Sequence, residues 1–409
     1  MRMISYSHLH VVSKILRLIK DVMDMRIVVA PDSFKGSASA VAVANAMEAG
    51  ILSVFSDAEV IKVPIADGGE GTIEALVVAT GGQIITETVL GPLGNPLEAH
   101  WGILGDGETA VIEMAAASGL PLVPQDKRNP CITTTYGTGE LIKAALDRGI
   151  RKLIIGIGGS ATNDGGMGMA CALGAKFLDT VGNSLPSGGA ALQQLTKIDV
   201  SQMDARLAET TVVVACDVDN PLCGPRGASA VYGPQKGATI EMIAELDAAL
   251  AKFAAIAKQV TGKDVAQYPG AGAAGGLGAG LLLFTNAKLL PGVEIILEAV
   301  RFSVIAREAD VIITGEGCTD FQTACGKAPV GVARIAKAHD VPTFCLSGSL
   351  GKGYEEVYSC GISGLMSIIP SPLNLADCMT NAPELIEAAA ERLCHIIKRS
   401  MELGIKVKK

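Results

Sequence analysis

Five times along this chain a short apolar, mostly β-branched run ends in a glycine-rich turn that carries an acid or a lysine. The turns are Ala30-Pro-Asp-Ser-Phe-Lys-Gly36, Ala66-Asp-Gly-Gly-Glu-Gly71, Gly158-Gly-Ser-Ala-Thr-Asn-Asp-Gly-Gly166, Gly315-Glu-Gly-Cys-Thr-Asp320 leading to Gly326-Lys327, and Ser347-Gly-Ser-Leu-Gly-Lys-Gly353. Continuously apolar runs are what strands buried on both faces look like, and such strands belong to parallel sheets covered by helices. In open sheets of that kind ligands bind beyond the carboxyl ends of the strands, where these turns fall.

The runs predict strands over Arg26–Ala30, Glu59–Val63, Ile84–Val89, Lys152–Ile157, Thr210–Ala215, Asp310–Thr314, Val341–Leu346 and Leu365–Ile369. Between them lie amphipathic helices. From Ile240 to Thr261 the apolar residues step by three or four, acids sit early, lysines late, and Gly262 follows, which suits a helix dipole and a C-terminal stop. Asn381 and Glu384 have capping-box spacing at the start of the last helix, with Pro383 in its first turn. Leu97–Leu104 and Thr109–Met114 flank Gly105-Asp-Gly107 and read as a hairpin. The alternation predicts an α/β fold of two α/β domains, one Rossmann-like with a parallel sheet and the second inserted within it. The expected limits are 25–66 plus 292–409 for the first and 67–291 for the inserted one, a sequential split being the alternative.

Several classes are disfavoured. The net charge of −8 argues against an extended nucleic-acid surface, which needs clustered Lys and Arg. Ten scattered cysteines, none in a C-x-x-C pair, read as reduced thiols of a cytoplasmic protein. The uncharged stretch Val265–Ala287 has an apolar part, Ala271–Phe284, too short for a membrane span, and reads as buried backbone. Residues 1–24 carry Val11, Ile15, Leu18 and Val22 on one helical face, lack a signal-peptide pattern, and precede a strand that begins directly after Met25. They read as a leader or a spurious extension, with Met25 as the natural start.

Each turn has a chemical reading and a plainer one. In Gly158–Gly166 the glycines let backbone amides approach an anion, and Asp164 is a metal ligand, a base or an N-cap; the alternative is a tight strand–helix turn. Neither standard nucleotide fingerprint is met. Asp67 and Glu70 can share a hydrated Mg²⁺ or cap a helix. Asp32, Ser33 and Lys35 place an acid, a hydroxyl and an ammonium after the first strand, or form a solvated surface turn. Glu316 and Asp320 repeat the two-acid theme, with Lys327 downstream. Asp217 and Asn220 end another strand. Every glycine-rich turn lacks histidine, so a general base would be a carboxylate. Phosphate-cradling turns, acids for a metal and lysines for charge together suit phosphoryl transfer.

Seven segments in order, Ala30–Gly36, Pro64–Gly71, Gly158–Gly166, Cys216-Asp-Val-Asp-Asn-Pro221, Gly233-Pro-Gln-Lys-Gly237, Pro269-Gly-Ala-Gly-Ala-Ala-Gly-Gly276 and Thr314-Gly-Glu-Gly317, resemble the type-1 glycerate kinase family. The resemblance runs from about Met25 to the last helix. It implies an ATP- and Mg²⁺-dependent cytoplasmic kinase acting on D-glycerate at the 2-hydroxyl, with its active site between two α/β domains. A kinase forming 3-phosphoglycerate and a non-catalytic small-acid sensor are the alternatives; oligomeric state is left open, and no nucleic-acid or membrane partner is expected. On this basis Asp164, Asp32 and Lys35 are catalytic candidates. Gly158, Gly159, Ser160, Thr162, Asn163, Gly315 and Lys327 are candidates for the nucleotide, and Ser33, Asp217, Asn220 and Lys236 for glycerate. Asp67, Glu70, Glu316 and Asp320 are candidates for the metal. One departure stands out: Cys318 occupies the place after Gly-Glu-Gly where the family often has Arg.

Overall fold

The computed structural model describes residues 25–66 and 68–407. The strands, in chain order, are β1 (Arg26–Val29), β2 (Glu59–Lys62), β3 (Gln83–Leu90), β4 (Pro96–Ile103), β5 (Thr109–Glu113), β6 (Lys152–Gly156), β7 (Lys176–Leu178), β8 (Lys197–Asp199), β9 (Thr211–Ala215), β10 (Ala287–Leu290), β11 (Val311–Thr319), β12 (Thr343–Leu350) and β13 (Ile362–Ser367). The chain divides into two compact units. One combines the residues up to Ile65 with those from Leu297 onward; the other is the continuous segment Ala66–Ile296.

The first unit holds a five-stranded sheet in the order β13-β12-β11-β1-β2. All its pairs are parallel, so the carboxyl ends of β1, β11 and β12 share one edge. Its core joins Ile27 and Val29 of β1, Ile313 of β11, Met47 of the helix Ala40–Leu52, and Ile386 and Leu393 of the helix Ala382–Val407. Those two helices pack backbone to backbone at Gly50, where a Cβ would lie 2.2 Å from the Glu387 carbonyl oxygen.

The second unit holds a six-stranded sheet in the order β10-β9-β6-β5-β4-β3. The pairs from β10 to β5 are parallel; β5, β4 and β3 continue antiparallel. Trp101, Ile112, Leu153 and Ile155 form its core against Leu141 and Leu277. A further cluster stacks Phe177, Phe253 and Phe284 in edge-on and tilted pairs.

The expected hairpin is present, with Gly102 opposite Val111 and Ile103 opposite Ala110. The helix Ile240–Thr261 has the expected limits, with the Thr239 hydroxyl accepting from the Met242 N–H and Gly262 left-handed at φ 73°. At the last helix Asn381 turns its side-chain amide back to the Asp377 carbonyl, closing the preceding helix. The apolar stretch becomes Ala273–Phe284, buried throughout and helical beyond a kink at Ala274, Gly275 and Gly276, whose φ values are positive. Among the described residues no helix is long and apolar enough to cross a membrane. The proposed leader lies outside the described residues.

Two expectations need correction. Ile84–Val89 runs antiparallel to β4, as part of the hairpin system rather than the parallel sheet. The glycine-rich segments after Thr314 and Leu346 are not turns: they remain strand, with Gly315 opposite Leu346, Glu316 opposite Ser347 and Cys318 opposite Ser349. The glycines serve strand approach there, since a Cβ on Gly348 would lie 2.4 Å from the Gly317 carbonyl oxygen. Strands β7, β8 and β10 were not expected; at three or four residues each they offer too short a pattern to read.

Candidate functional site

The chemistry-bearing turns gather at the carboxyl edge of the parallel strands in each unit. In the second unit the segment after β6 lies beside the turn Gly68–Gly71. A Cβ on Gly156 would lie 2.4 Å from the Gly68 carbonyl oxygen, and one on Gly68, at φ +85°, would lie 2.3 Å from the Ala215 Cβ. The turn therefore crosses the ends of β6 and β9 at backbone distance. The Leu120 N–H donates to the Gly159 carbonyl and the Ala161 N–H to the Ser118 carbonyl, tying the Gly158–Gly166 loop to the segment after β5.

Within that loop exposure is divided. Gly158 and Gly159 present open backbone, whereas Ser160 through Gly166 are buried. Asp164 is 0% exposed. Its carboxylate accepts from the Thr135 N–H (2.9 Å), the Thr135 hydroxyl (2.9 Å), the Gly166 N–H (3.1 Å) and the Gly168 N–H (3.2 Å). Burial pushes its pKa up, and these donors act in the opposite direction. The plainer reading of this acid was an N-cap; the structure shows the carboxylate serving two helix starts, near Thr135 and near Gly166. Lys236, on the turn Pro234–Lys236, is 1% exposed. Its ammonium donates to the Ser160 hydroxyl and the Thr162 carbonyl, both at 2.7 Å. Burial drives its pKa down to about 7, and Asp164 pulls it upward. Thr162 and Asn163 are wholly buried, with the Asn163 amide donating to the Ser229 hydroxyl.

Glu70 is exposed beside the start of the helix Thr72–Thr80. The acid that serves that helix start is Glu113, at the end of β5, which accepts the Ile73 N–H at 2.8 Å. Burial pushes Glu113 up, and the N–H groups of Ile73 and Thr72 pull it back. Sequence reasoning missed Glu113; its one signal is an acid as the last residue of an apolar strand. Asp217 accepts the Gly292 N–H at 2.9 Å. Asn220 donates to the Arg226 carbonyl and accepts from the Tyr232 hydroxyl at 2.6 Å, holding the loop after β9. Asp67 lies outside the described residues.

In the first unit Asp32, Ser33 and Lys35 follow β1. The Asp32 N–H donates to the Gly315 carbonyl at 2.8 Å, and the Ser33 N–H to the Asp32 carboxylate at 2.6 Å. A Cβ on Gly317 would lie 3.7 Å from the Lys35 nitrogen, so this turn runs over β11. Glu316 is buried; its Oε1 accepts the hydroxyls of Thr319 (2.9 Å) and Thr323 (2.7 Å), and Thr319 in turn bonds Ser347 at 2.6 Å. Burial raises the Glu316 pKa; the two hydroxyls and Lys327 oppose it. Asp320 caps the helix Phe321–Ala324 and lies 3.7 Å from the Lys327 ammonium. Cys318 is exposed.

Thus Asp32, Ser33, Lys35, Gly315, Glu316, Asp320 and Lys327 occupy one edge, that of the first unit. Glu70, Gly158, Gly159, Ser160, Thr162, Asn163, Asp164, Lys236, Asp217 and Asn220 belong to the second. Among the described residues no group of three or more His, Cys, Asp or Glu side chains is placed to hold a metal ion. Single hard carboxylates such as exposed Glu70 suit Mg²⁺, which keeps waters and takes substrate phosphate oxygens.

The model of the glycerate kinase family matches residues 27–398. A glycerate kinase from Bacillus subtilis (strain 168) is 55% identical over 374 residues, covering 91% of this chain and 98% of that protein. A glycerate 2-kinase from Escherichia coli (strain K12) is 49% identical over 369 residues, covering 90% of this chain and 97% of that one. A crystal structure from Salmonella typhimurium LT2, described as a glycerate kinase 2, superimposes with a TM-score of 0.85 at 48% identity, over 93% of this chain and 100% of the other.

Proposed function

The chain belongs to the glycerate kinase family, and on that premise we propose that it transfers the γ-phosphoryl group of ATP to the 2-hydroxyl of D-glycerate, giving 2-phosphoglycerate and ADP. One observation carries the assignment of groups: each unit presents its polar turns at the carboxyl edge of its parallel strands, the place where such sheets take ligands. The 2-hydroxyl rests on the glycerate 2-kinase relative at 49% identity.

In this reading the open backbone of Gly158 and Gly159 takes phosphate oxygens through its N–H groups. Ser160 stands at the rim of that backbone. Asp32 orients the acceptor hydroxyl and receives its proton, the part a carboxylate plays in other phosphoryl transfers. Lys35 and Lys327 supply positive charge for the glycerate carboxylate and the transferring group. Glu70 or the Glu316–Asp320 pair, with Asp67, would be the oxygen donors to Mg²⁺, which would supply neutralisation of phosphate charge. Asp217 and Asn220 shape the loop after β9 through bonds that include the Gly292 N–H, the Arg226 carbonyl and the Tyr232 hydroxyl. The ten cysteines are all thiols, which agrees with a cytoplasmic setting.

The test is a reaction of the purified protein with Mg²⁺-ATP and D-glycerate, with ADP release followed by a coupled enzyme and the product read by ³¹P NMR. A 2-phosphoglycerate resonance is expected. A 3-phosphoglycerate resonance overturns the regiochemistry. Absence of ADP, with nucleotide binding still seen as a raised melting temperature, replaces the kinase with a sensor.

A further inference from the structure

Lys236 was expected to meet substrate, yet its ammonium is enclosed. It sits on a single turn between the helices Ala228–Tyr232 and Ile240–Thr261, followed by Gly237 at φ +89°, where a Cβ would lie 2.4 Å from the Arg128 carbonyl oxygen. Glycine lets the turn tuck in and carry the side chain inward. There the ammonium donates to the Ser160 hydroxyl and the Thr162 carbonyl. Both acceptors belong to the loop whose first two residues, Gly158 and Gly159, are its open part. Four donors converge on Asp164 at the other end of the same loop.

Charge makes these two observations one. A buried ammonium or carboxylate is tolerated when it is paired and hydrogen-bonded and is costly when stranded. Asp164 and Lys236 are 0% and 1% exposed, and neither has a face open to a ligand. Both groups are bonded into the one segment Ser160–Gly168, and the opposite charge of Asp164 favours the charged ammonium. The hydroxyl and carbonyl bonds that Lys236 makes are neutral acceptors and cannot balance it. With opposite charges the two together are neutral; with either side chain removed, they are not.

We propose that Lys236 is a positioning residue: with Asp164 as its counter-charge it clamps the Ser160–Asp164 arm from inside and so sets the shape of the Gly158–Gly159 backbone, rather than contacting glycerate. The proposal rests on the reading that this backbone carries the nucleotide phosphates. It places the consequence of losing Lys236 on the nucleotide, through a rearranged loop, and makes that consequence depend on Asp164.

The experiment is a double-mutant cycle in the full chain: Lys236→Met, Asp164→Asn, and both together, with kcat, both KM values and the thermal midpoint measured for each. Each single variant is expected to lower kcat/KM for Mg²⁺-ATP at least tenfold, mainly through KM, while the D-glycerate KM stays within twofold. The double variant is expected to fall short of the product of the two losses by at least tenfold, and to melt higher than the two shifts summed. Losses that multiply within threefold overturn the pairing. A D-glycerate KM that rises for Lys236→Met with the nucleotide KM unchanged overturns the positioning role. Ser160→Ala is the milder probe if either single variant does not fold. It should raise the nucleotide KM three- to tenfold and leave the D-glycerate KM within twofold; the reverse pattern overturns the clamp. The melting cycle reads the pair without any turnover. A wild type that phosphorylates no glycerate therefore sinks the proposed function, and additive melting shifts sink this inference.

Discussion

Thr135 gives both its backbone N–H and its hydroxyl to the carboxylate of Asp164, at 2.9 Å each. The same hydroxyl oxygen accepts the Met169 N–H at 2.9 Å. One threonine thus joins the start of the helix Tyr136–Asp147 to the Gly158–Gly166 loop and the helix after it. Thr135→Val keeps the shape and removes the hydroxyl, leaving a buried carboxylate short of a donor and a buried N–H short of an acceptor. The expected loss is about 2 kcal/mol, read as a lower urea midpoint with an unchanged slope. A loss below a few tenths would show that the hydroxyl is dispensable.

Asp32→Asn separates chemistry from scaffold. The Asp32 N–H anchors the turn to Gly315 and survives the substitution, and the amide oxygen can still accept the Ser33 N–H. Turnover should fall by about 10²-fold or more, with the thermal midpoint within two degrees of wild type. Near-native kcat in the folded variant would remove Asp32 from the role of base.

Glu316 titrates against its own burial. Its folded-state pKa is raised, burial being the main cause. A raised carboxyl leaves the unfolded chain to release its proton first. Stability is therefore complete below the ordinary carboxylate range, declines as pH rises from there to the folded-state value, and stays low above it. Glu316→Gln removes that decline. It should be more stable than wild type by about 1 kcal/mol at pH 7.5 and equal to it near pH 4, while glycerate phosphorylation drops at least tenfold. Urea titrations at the two pH values decide; a glutamine variant that is weaker at pH 7.5 would make the carboxylate a structural group.

Gly68→Ala tests the turn that crosses β6 and β9. The new methyl would sit 2.3 Å from the Ala215 Cβ, on a backbone at φ +85°. Overpacking and left-handed strain add to about 3 kcal/mol. Gly71→Ala, at φ +88° with nothing within 4 Å of its Cβ, should lose only the strain, about 1 kcal/mol. Equal losses in thermal melts would show that the close approach to Ala215 relaxes freely.

Cys318 and Cys325 are the exposed cysteines; the other eight are partly or fully buried, and burial pushes several of them, Cys171, Cys223, Cys345 and Cys394, up to about 12. Iodoacetamide at pH 8 should label the exposed pair at least tenfold faster. Cys318 stands two residues from Glu316 on β11, so its alkylation should inhibit and Cys318→Ser should protect. Inhibition that persists in Cys318→Ser would locate the effect at Cys325.

Much of the fold was legible because apolar runs and helical periodicity are local. Arg26–Val29, Lys152–Gly156 and Thr211–Ala215 were announced by their own residues, and Ile240–Thr261 by its caps. The extension of β11 through Gly315-Glu-Gly317 was not, because glycine reads alike in a turn and in a strand that another backbone approaches closely; the difference lies in Leu346 and Ser347, thirty residues away. The site was legible as a set of turns, and their residue types pointed to anions. Which side chains face inward was not. Lys236 beside Pro234 and Gly237 reads as a candidate for glycerate, and only the fold brings Ser160 and Thr162 to its ammonium. Glu113 was invisible for the same reason, its partner Ile73 lying forty residues earlier.

In the first sheet β1 lies between β2, which comes from the same early stretch of chain, and the central strand β11, close to three hundred residues later. Everything in Ala66–Ile296 is complete before β11 is made. During synthesis the middle segment can therefore reach its native state on the ribosome while β1 and β2 wait with an open hydrogen-bonding edge and the Ile27, Val29 and Met47 side chains uncovered. The early segment is the one left with an unpaired edge, and slowed translation between Ile65 and Leu297 lengthens the interval in which that edge can pair with another chain.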